Sequence, residues 1–96
     1  IMLAYYRDGN DSVAWHGDKL KHKVDAHVAT VSTGSPRAFR IRLLSGGPSL
    51  DFSLGWGDLL VMGGTCQKTC EHTVPKLSNA EPRISIIFRH HYQLLL

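Results

Sequence analysis

Glutamate is scarce in this chain: of eight acidic residues among 96, only Glu71 and Glu81 are glutamates, against eleven lysines and arginines. Protein carboxylates cannot be assumed as partners for every cation, and the net charge of +3 suits a polyanionic partner without requiring one. Long hydrophobic runs are missing as well. No stretch approaches the roughly 18 apolar residues of a transmembrane helix, and Gln93-Leu94-Leu95-Leu96 is too short to span a bilayer, so no membrane partner is expected. No signal peptide is visible. Cysteine is limited to Cys66 and Cys70, whose C-x3-C spacing, with no second pair, excludes the usual structural zinc knuckle. On an extended strand the two would lie roughly 13 Å apart, out of disulfide reach unless the chain bends, so reduced thiols and a cytoplasmic location are expected. Gly63-Gly64 is not followed by Gly-Lys-Ser/Thr, which excludes a phosphate loop, and no repeat or low-complexity segment is present.

What is present is a series of short alternating segments. Strands are expected at Met2 to Tyr6, Ser12 to His16, His27 to Thr33, Phe39 to Leu44, Leu50 to Leu54, Asp58 to Met62 and Arg83 to Arg89, with turns at Asp8-Gly9, Gly34-Ser35-Pro36 and Ser45-Gly46-Gly47-Pro48. Lys19 to Asp25 and Leu77 to Pro82 read as loops. Gly57 to Gly64 reads as a buried strand ending in a tight turn. Seven short strands indicate a sandwich or barrel, and 96 residues suffice for one small domain, 1–96, expected to be monomeric. The chain opens at Ile1, inside a strand and without an initiator Met, and is expected to be the C-terminal part of a longer product.

Two clusters carry chemistry. In Trp15-His16-Gly17-Asp18, positions i and i+2 of an extended segment project to the same side, so an imidazole and a carboxylate converge on one ion. His72 would complete two histidines and one carboxylate on one face of an octahedral ion, the arrangement in which non-haem Fe(II) oxygenases keep positions open for co-substrate and dioxygen. With six histidines, composition alone gives about 0.4 His-x-Asp pairs by chance, so a surface turn remains the alternative at this stage. The second cluster is Arg83-Ile84-Ser85-Ile86-Ile87-Phe88-Arg89. Arg83, Ser85, Ile87 and Arg89 share one strand face, and arginines turned inward require an anion, either a protein carboxylate or a bound dicarboxylate. A solvated strand face is the alternative. In Arg37 to Leu43, alternation places Phe39, Ile41 and Leu43 inward and turns Arg40 and Arg42 outward as a basic strip facing phosphate or solvent. Trp15 and Trp56 are expected in the core or at its rim, with base stacking as the alternative, and Asp8 and Asp58 are expected to serve turns. His22, His27, His90 and His91 lack companions at ligand spacing.

Ala4-Tyr5-Tyr6-Arg7-Asp8-Gly9, Trp15-His16-Gly17-Asp18, Gly57-Asp58-Leu59-Leu60-Val61-Met62-Gly63-Gly64, Glu71-His72-Thr73-Val74-Pro75-Lys76 and Pro82-Arg83-Ile84-Ser85-Ile86-Ile87-Phe88-Arg89 together resemble the AlkB family of Fe(II)/2-oxoglutarate dioxygenases, in the family's order. The resemblance covers nearly the whole chain. It implies an all-β, double-stranded β-helix (jelly-roll, cupin-like) core, incomplete at its N-terminus, with upstream strands and a nucleotide-recognition lid lying outside these residues. It implies oxidative demethylation of alkylated nucleobases in DNA or RNA, consuming 2-oxoglutarate and dioxygen. His16, Asp18 and His72 resemble the catalytic iron ligands, Arg83 the clamp on the distal carboxylate of 2-oxoglutarate, and Arg89 the second site arginine. Tyr6 and Ser85 resemble further co-substrate contacts. Ala4 and Ser85 stand where many or several members carry asparagine, and Lys19 and Leu20 follow the His-x-Asp where several repair members have acidic residues. A non-catalytic jelly-roll module that binds nucleic acid or a protein partner is the alternative function.

Overall fold

The computed structural model describes residues 1–17, 27–63 and 65–89. Among them the chain forms β1 (Met2–Tyr6), β2 (Val13–His16), β3 (Val28–Gly34), β4 (Arg37–Leu43), β5 (Leu50–Leu54), β6 (Leu59–Met62), α1 (Cys66–Thr69), β7 (Cys70–Val74) and β8 (Arg83–Arg89). The seven strands expected from alternation are all present, to within two residues at their ends. The loop expected at Lys19 to Asp25 and the C-terminal tail lie outside the described residues.

The strands form two four-stranded antiparallel sheets, ordered β1-β8-β3-β6 and β2-β7-β4-β5. Successive strands change sheet at every step except the β4–β5 pair, so the chain winds as a double-stranded β-helix, an all-β jelly-roll. Gly34 ends β3 at φ +80, a left-handed conformation that opens the turn into β4, and it sits against Pro82 and Arg83 too closely for a side chain. The inner faces enclose a small core of Tyr6, Val28, Phe39, Leu54, Met62 and Val74. Among the described residues no helix is long and apolar enough to cross a membrane.

Several local expectations are corrected. β6 is an edge strand with Leu59 62% and Val61 53% exposed, not a buried one, because an unbroken Leu-Leu-Val-Met run conceals which residues face out. Leu43 was expected inward but is 52% exposed: β5 stops pairing with β4 at Ile41–Leu50, so Leu43 has β7 alone for a neighbour. Cys66 and Cys70 are not on one strand. They bracket α1, and the Cys70 amide donates to the Cys66 carbonyl.

Outward-facing residues differ between the sheets. The first sheet presents apolar side chains, including Leu3, Tyr5, Ile84 and Phe88. On the second, Arg40 faces Asp51 at 3.6 Å, and Arg42 donates to Glu71 at 2.6 Å while stacking 3.8 Å over the Trp15 ring. Both arginines of the expected basic strip therefore face carboxylates. Trp56 is exposed, at a turn. Asp58 accepts from the Gly55 amide and Asp8 from the Asn10 amide, as their turn roles require.

Candidate active site

The two histidines meet because antiparallel pairing of β2 with β7 sets His16 directly opposite His72. Their ring centroids are 4.3 Å apart at an interplanar angle of 60°, and Phe39 stacks on His72 at 5.1 Å. His16 Nδ1 donates to the Ala14 carbonyl at 2.8 Å, which fixes the tautomer and leaves Nε2 as the ring's electron-pair donor. Two imidazoles so arranged can hold one ion. Asp18, the carboxylate of the expected set, lies outside the described residues, and among those described no group of three metal-binding side chains gathers at one point.

Opposite the histidines, β8 turns Arg83, Ser85, Ile87 and Arg89 to the interior, the inward face expected from alternation. Arg83 is 2% exposed. Its Nη2 donates to Ser32 Oγ at 2.6 Å and to Ser85 Oγ at 3.1 Å, and its guanidinium lies 4.9 Å from the Tyr6 ring centroid. Nε and Nη1 are buried with no hydrogen-bond acceptor among the described residues. Burial pulls the Arg83 pKa below its ordinary value; the Tyr6 hydroxyl opposes this, and the nearby Arg37 cation adds to it. Burial likewise raises the Tyr6 pKa against the pull of Arg83 and Arg37, so the phenol keeps its proton and can donate it. A buried cation whose donors meet no carboxylate among the described residues is suited to an anionic ligand, and the fork of a guanidinium suits a carboxylate best.

Between the two groups lies a cavity of about 220 Å³, lined by His16, His72, Tyr6, Ser85 and Arg89 among others. It is smaller than the roughly 300 to 1,000 Å³ of sites for drug-sized ligands, so it fits a compact co-substrate. Ala4, paired with Ser85, also lines it and presents only a methyl group there. Tyr6, Ser85 and Arg89 thus converge on one cavity with His16 and His72, and Arg83 is joined to that cavity through its hydrogen bond to Ser85 and its packing on the Tyr6 ring. Among the buried polar residues of this region that the sequence alone did not single out are Ser32 and Arg37. Ser32, 0% exposed, accepts from Arg83, and the alternation Val28-Thr30-Ser32 was the signal that could have placed it inside. Arg37, 1% exposed, shares its strand face with Phe39.

A histidine pair and, bonded to a serine of the same small cavity, a buried arginine within a jelly-roll match the chemistry of an Fe(II)- and 2-oxoglutarate-dependent oxygenase. The chain belongs to the 2OG-Fe(II) oxygenase superfamily, whose profile matches residues 1–89, and whose members use Fe(II) with 2-oxoglutarate. Within it the chain is AlkB-like. It is 32% identical over 103 residues, 96% of its length, to alpha-ketoglutarate-dependent dioxygenase alkB homolog 3 of Homo sapiens, and 31% identical over 114 residues, 93% of its length, to the DNA oxidative demethylase ALKBH2 of Arabidopsis thaliana. It is 36% identical over 90 residues, 92% of its length, to an uncharacterized protein of Acanthamoeba polyphaga mimivirus. The chain spans 36% of the length of the first two and 47% of the third.

Proposed function

We propose that this chain is the catalytic core of an oxidative dealkylase that acts on alkylated bases in DNA or RNA. His16, Asp18 and His72 hold Fe(II), and Arg83 binds the distal carboxylate of 2-oxoglutarate. The observation that carries the reading is Arg83: two of its three nitrogens are buried with no acceptor among the described residues, and it bonds to Ser85 and packs on Tyr6, which line the cavity together with the histidine pair. The Ser32 and Ser85 hydroxyls, having accepted from Nη2, keep hydrogens to donate to the same carboxylate. Tyr6 adds a protonated phenol, and Arg89 supplies a second cation to the cavity wall. Phe39 restrains the His72 ring, while the Ala14 carbonyl sets the orientation of His16. When bound, the iron supplies oxidation by dioxygen: 2-oxoglutarate gives succinate and carbon dioxide, and the hydroxylated N-methyl group leaves as formaldehyde. The nucleobase assignment is supported by the relatives, one of which is named as a DNA oxidative demethylase. Cys66 and Cys70 are thiols, which suits the reducing cytoplasm.

The test has two stages. Under anaerobic conditions, the full-length protein with Fe(II) and 2-oxoglutarate should develop the visible metal-to-ligand charge-transfer band. In air, it should release formaldehyde from a panel of methylated DNA and RNA oligonucleotides. A band without formaldehyde from any oligonucleotide would retain the oxygenase and reject the nucleobase; absence of the band would reject both.

A further inference from the structure

The pairing that brings His16 opposite His72 is irregular. Val13 pairs with Val74 but His16 with His72, so the register slips within a four-residue strand and a regular ladder does not by itself set how the two rings stand. Arg37 sits beside this slip. Its Nη2 donates to the Asp11 carbonyl at 2.9 Å, where the chain approaches β2, and to the Pro75 carbonyl at 2.7 Å, where it leaves β7. Nη1 donates to the Asp8 carbonyl at 3.1 Å, and the guanidinium lies 5.5 Å from the Tyr6 ring centroid. One nitrogen therefore joins the chain entering β2 to the chain leaving β7 just beyond the Val13–Val74 pair, with the slip lying between that pair and His16–His72. Thr73 makes a second tie over the same stretch, its Oγ1 donating to the Val13 carbonyl at 2.5 Å.

We infer that Arg37 is a positioning residue of the metal site: by stapling the chain entering β2 to the chain leaving β7, it holds His16 and His72 at the separation that one ion requires. This rests on the reading of those histidines as ligands. A guanidinium held by three neutral carbonyls is an expensive tie to bury, since among the described residues its charge has no carboxylate in hydrogen-bond contact. The carbonyls it binds belong to the connections flanking the two histidine strands, which is where such a tie would control ring spacing. Lysine keeps the charge but cannot reach three acceptors in a plane.

The experiment is a calorimetric titration of the full-length protein with Co(II), without 2-oxoglutarate, for the unaltered chain, Arg37→Lys and Thr73→Val. Arg37→Lys should weaken Co(II) binding about tenfold or more, the range for groups that orient metal ligands, with circular dichroism unchanged. Thr73→Val should weaken it in the same sense. At saturating metal, the KM for 2-oxoglutarate in Arg37→Lys should stay within about threefold of the unaltered value. A purely structural role would lower the melting temperature and leave the Co(II) affinity of the folded protein unchanged, which overturns the inference. Should Arg37→Lys fail to fold, Thr73→Val decides: weakened binding supports the staple, and unaltered binding overturns it. Failure of the unaltered protein to bind Co(II) is a separate result, which removes the metal-site reading itself.

Discussion

Substitutions at Arg83 should move co-substrate affinity and apo stability in different directions. Among the described residues, two buried nitrogens of Arg83 have no acceptor, and its partners are two serine hydroxyls and the Tyr6 ring. Such a cation contributes little to folding, and its own desolvation opposes it. Arg83→Met should therefore leave the apo protein as stable as before or raise its melting temperature; a gain of about 1 kcal/mol corresponds to roughly 4–8 °C in a domain of this size. Arg83→Lys retains the charge and loses the fork. If the fork contributes about 2 to 3 kcal/mol to binding, the 2-oxoglutarate requirement should rise roughly 30- to 150-fold. Both quantities are accessible: thermal unfolding of the apo variants, and succinate formation as a function of 2-oxoglutarate. An unchanged 2-oxoglutarate titration for Arg83→Lys, or a large loss of apo stability for Arg83→Met, would show that Arg83 is a structural residue.

His16→Ala and His72→Ala should each abolish tight Fe(II) binding while leaving the circular dichroism largely intact, since the sheets do not depend on the ion; unimpaired formaldehyde release by either variant would refute the ligand assignment. Tyr6→Phe should raise the KM for 2-oxoglutarate about 2- to 10-fold through loss of one hydrogen bond, as measured by succinate formation. Because the Tyr6 pKa is raised in the folded state, its contribution to stability is complete below the ordinary tyrosine value near 10 and is lost as pH rises past it. The stability difference between wild type and Tyr6→Phe in denaturant titrations should accordingly shrink only in strong alkali. Gly34→Ala should cost about 1 to 3 kcal/mol, because the left-handed φ disfavours alanine and the new Cβ would meet the Pro82 carbonyl at 2.5 Å. A neutral effect in thermal melts would show that the β3–β4 turn relaxes freely.

Much of the fold was legible because its strands alternate. Arg83 and Ser85 fell on the same side as Ile87 in the sequence pattern, and they share the buried face in space. β7 was not legible as a strand. Cys70-Glu71-His72-Thr73-Val74 has no clean alternation and follows directly on α1, a single turn without a side-chain cap that nothing in composition announces. The cysteine spacing corresponds to roughly 13 Å only on an extended chain, and α1 supplies the bend between the two thiols. Arg37 was overlooked as a site residue because its neighbours Arg40 and Arg42 point outward. Its shared parity with Phe39 was visible, yet the acceptors that make burial tolerable come from residues 26 to 38 positions away. Such acceptors leave no local signature.

The place of β8 in its sheet has a consequence for biosynthesis. It is the last of the described strands, yet it lies between β1 and β3 and bonds to both. Until Arg83 to Arg89 have left the ribosome, the first sheet has no centre, and the serine on β3 that steadies Arg83 has nothing to steady. A ladder joining residues some eighty positions apart closes slowly, because the whole intervening loop must be ordered first. The strands of the second sheet all precede β8, so that sheet can pair while the first still waits for its centre.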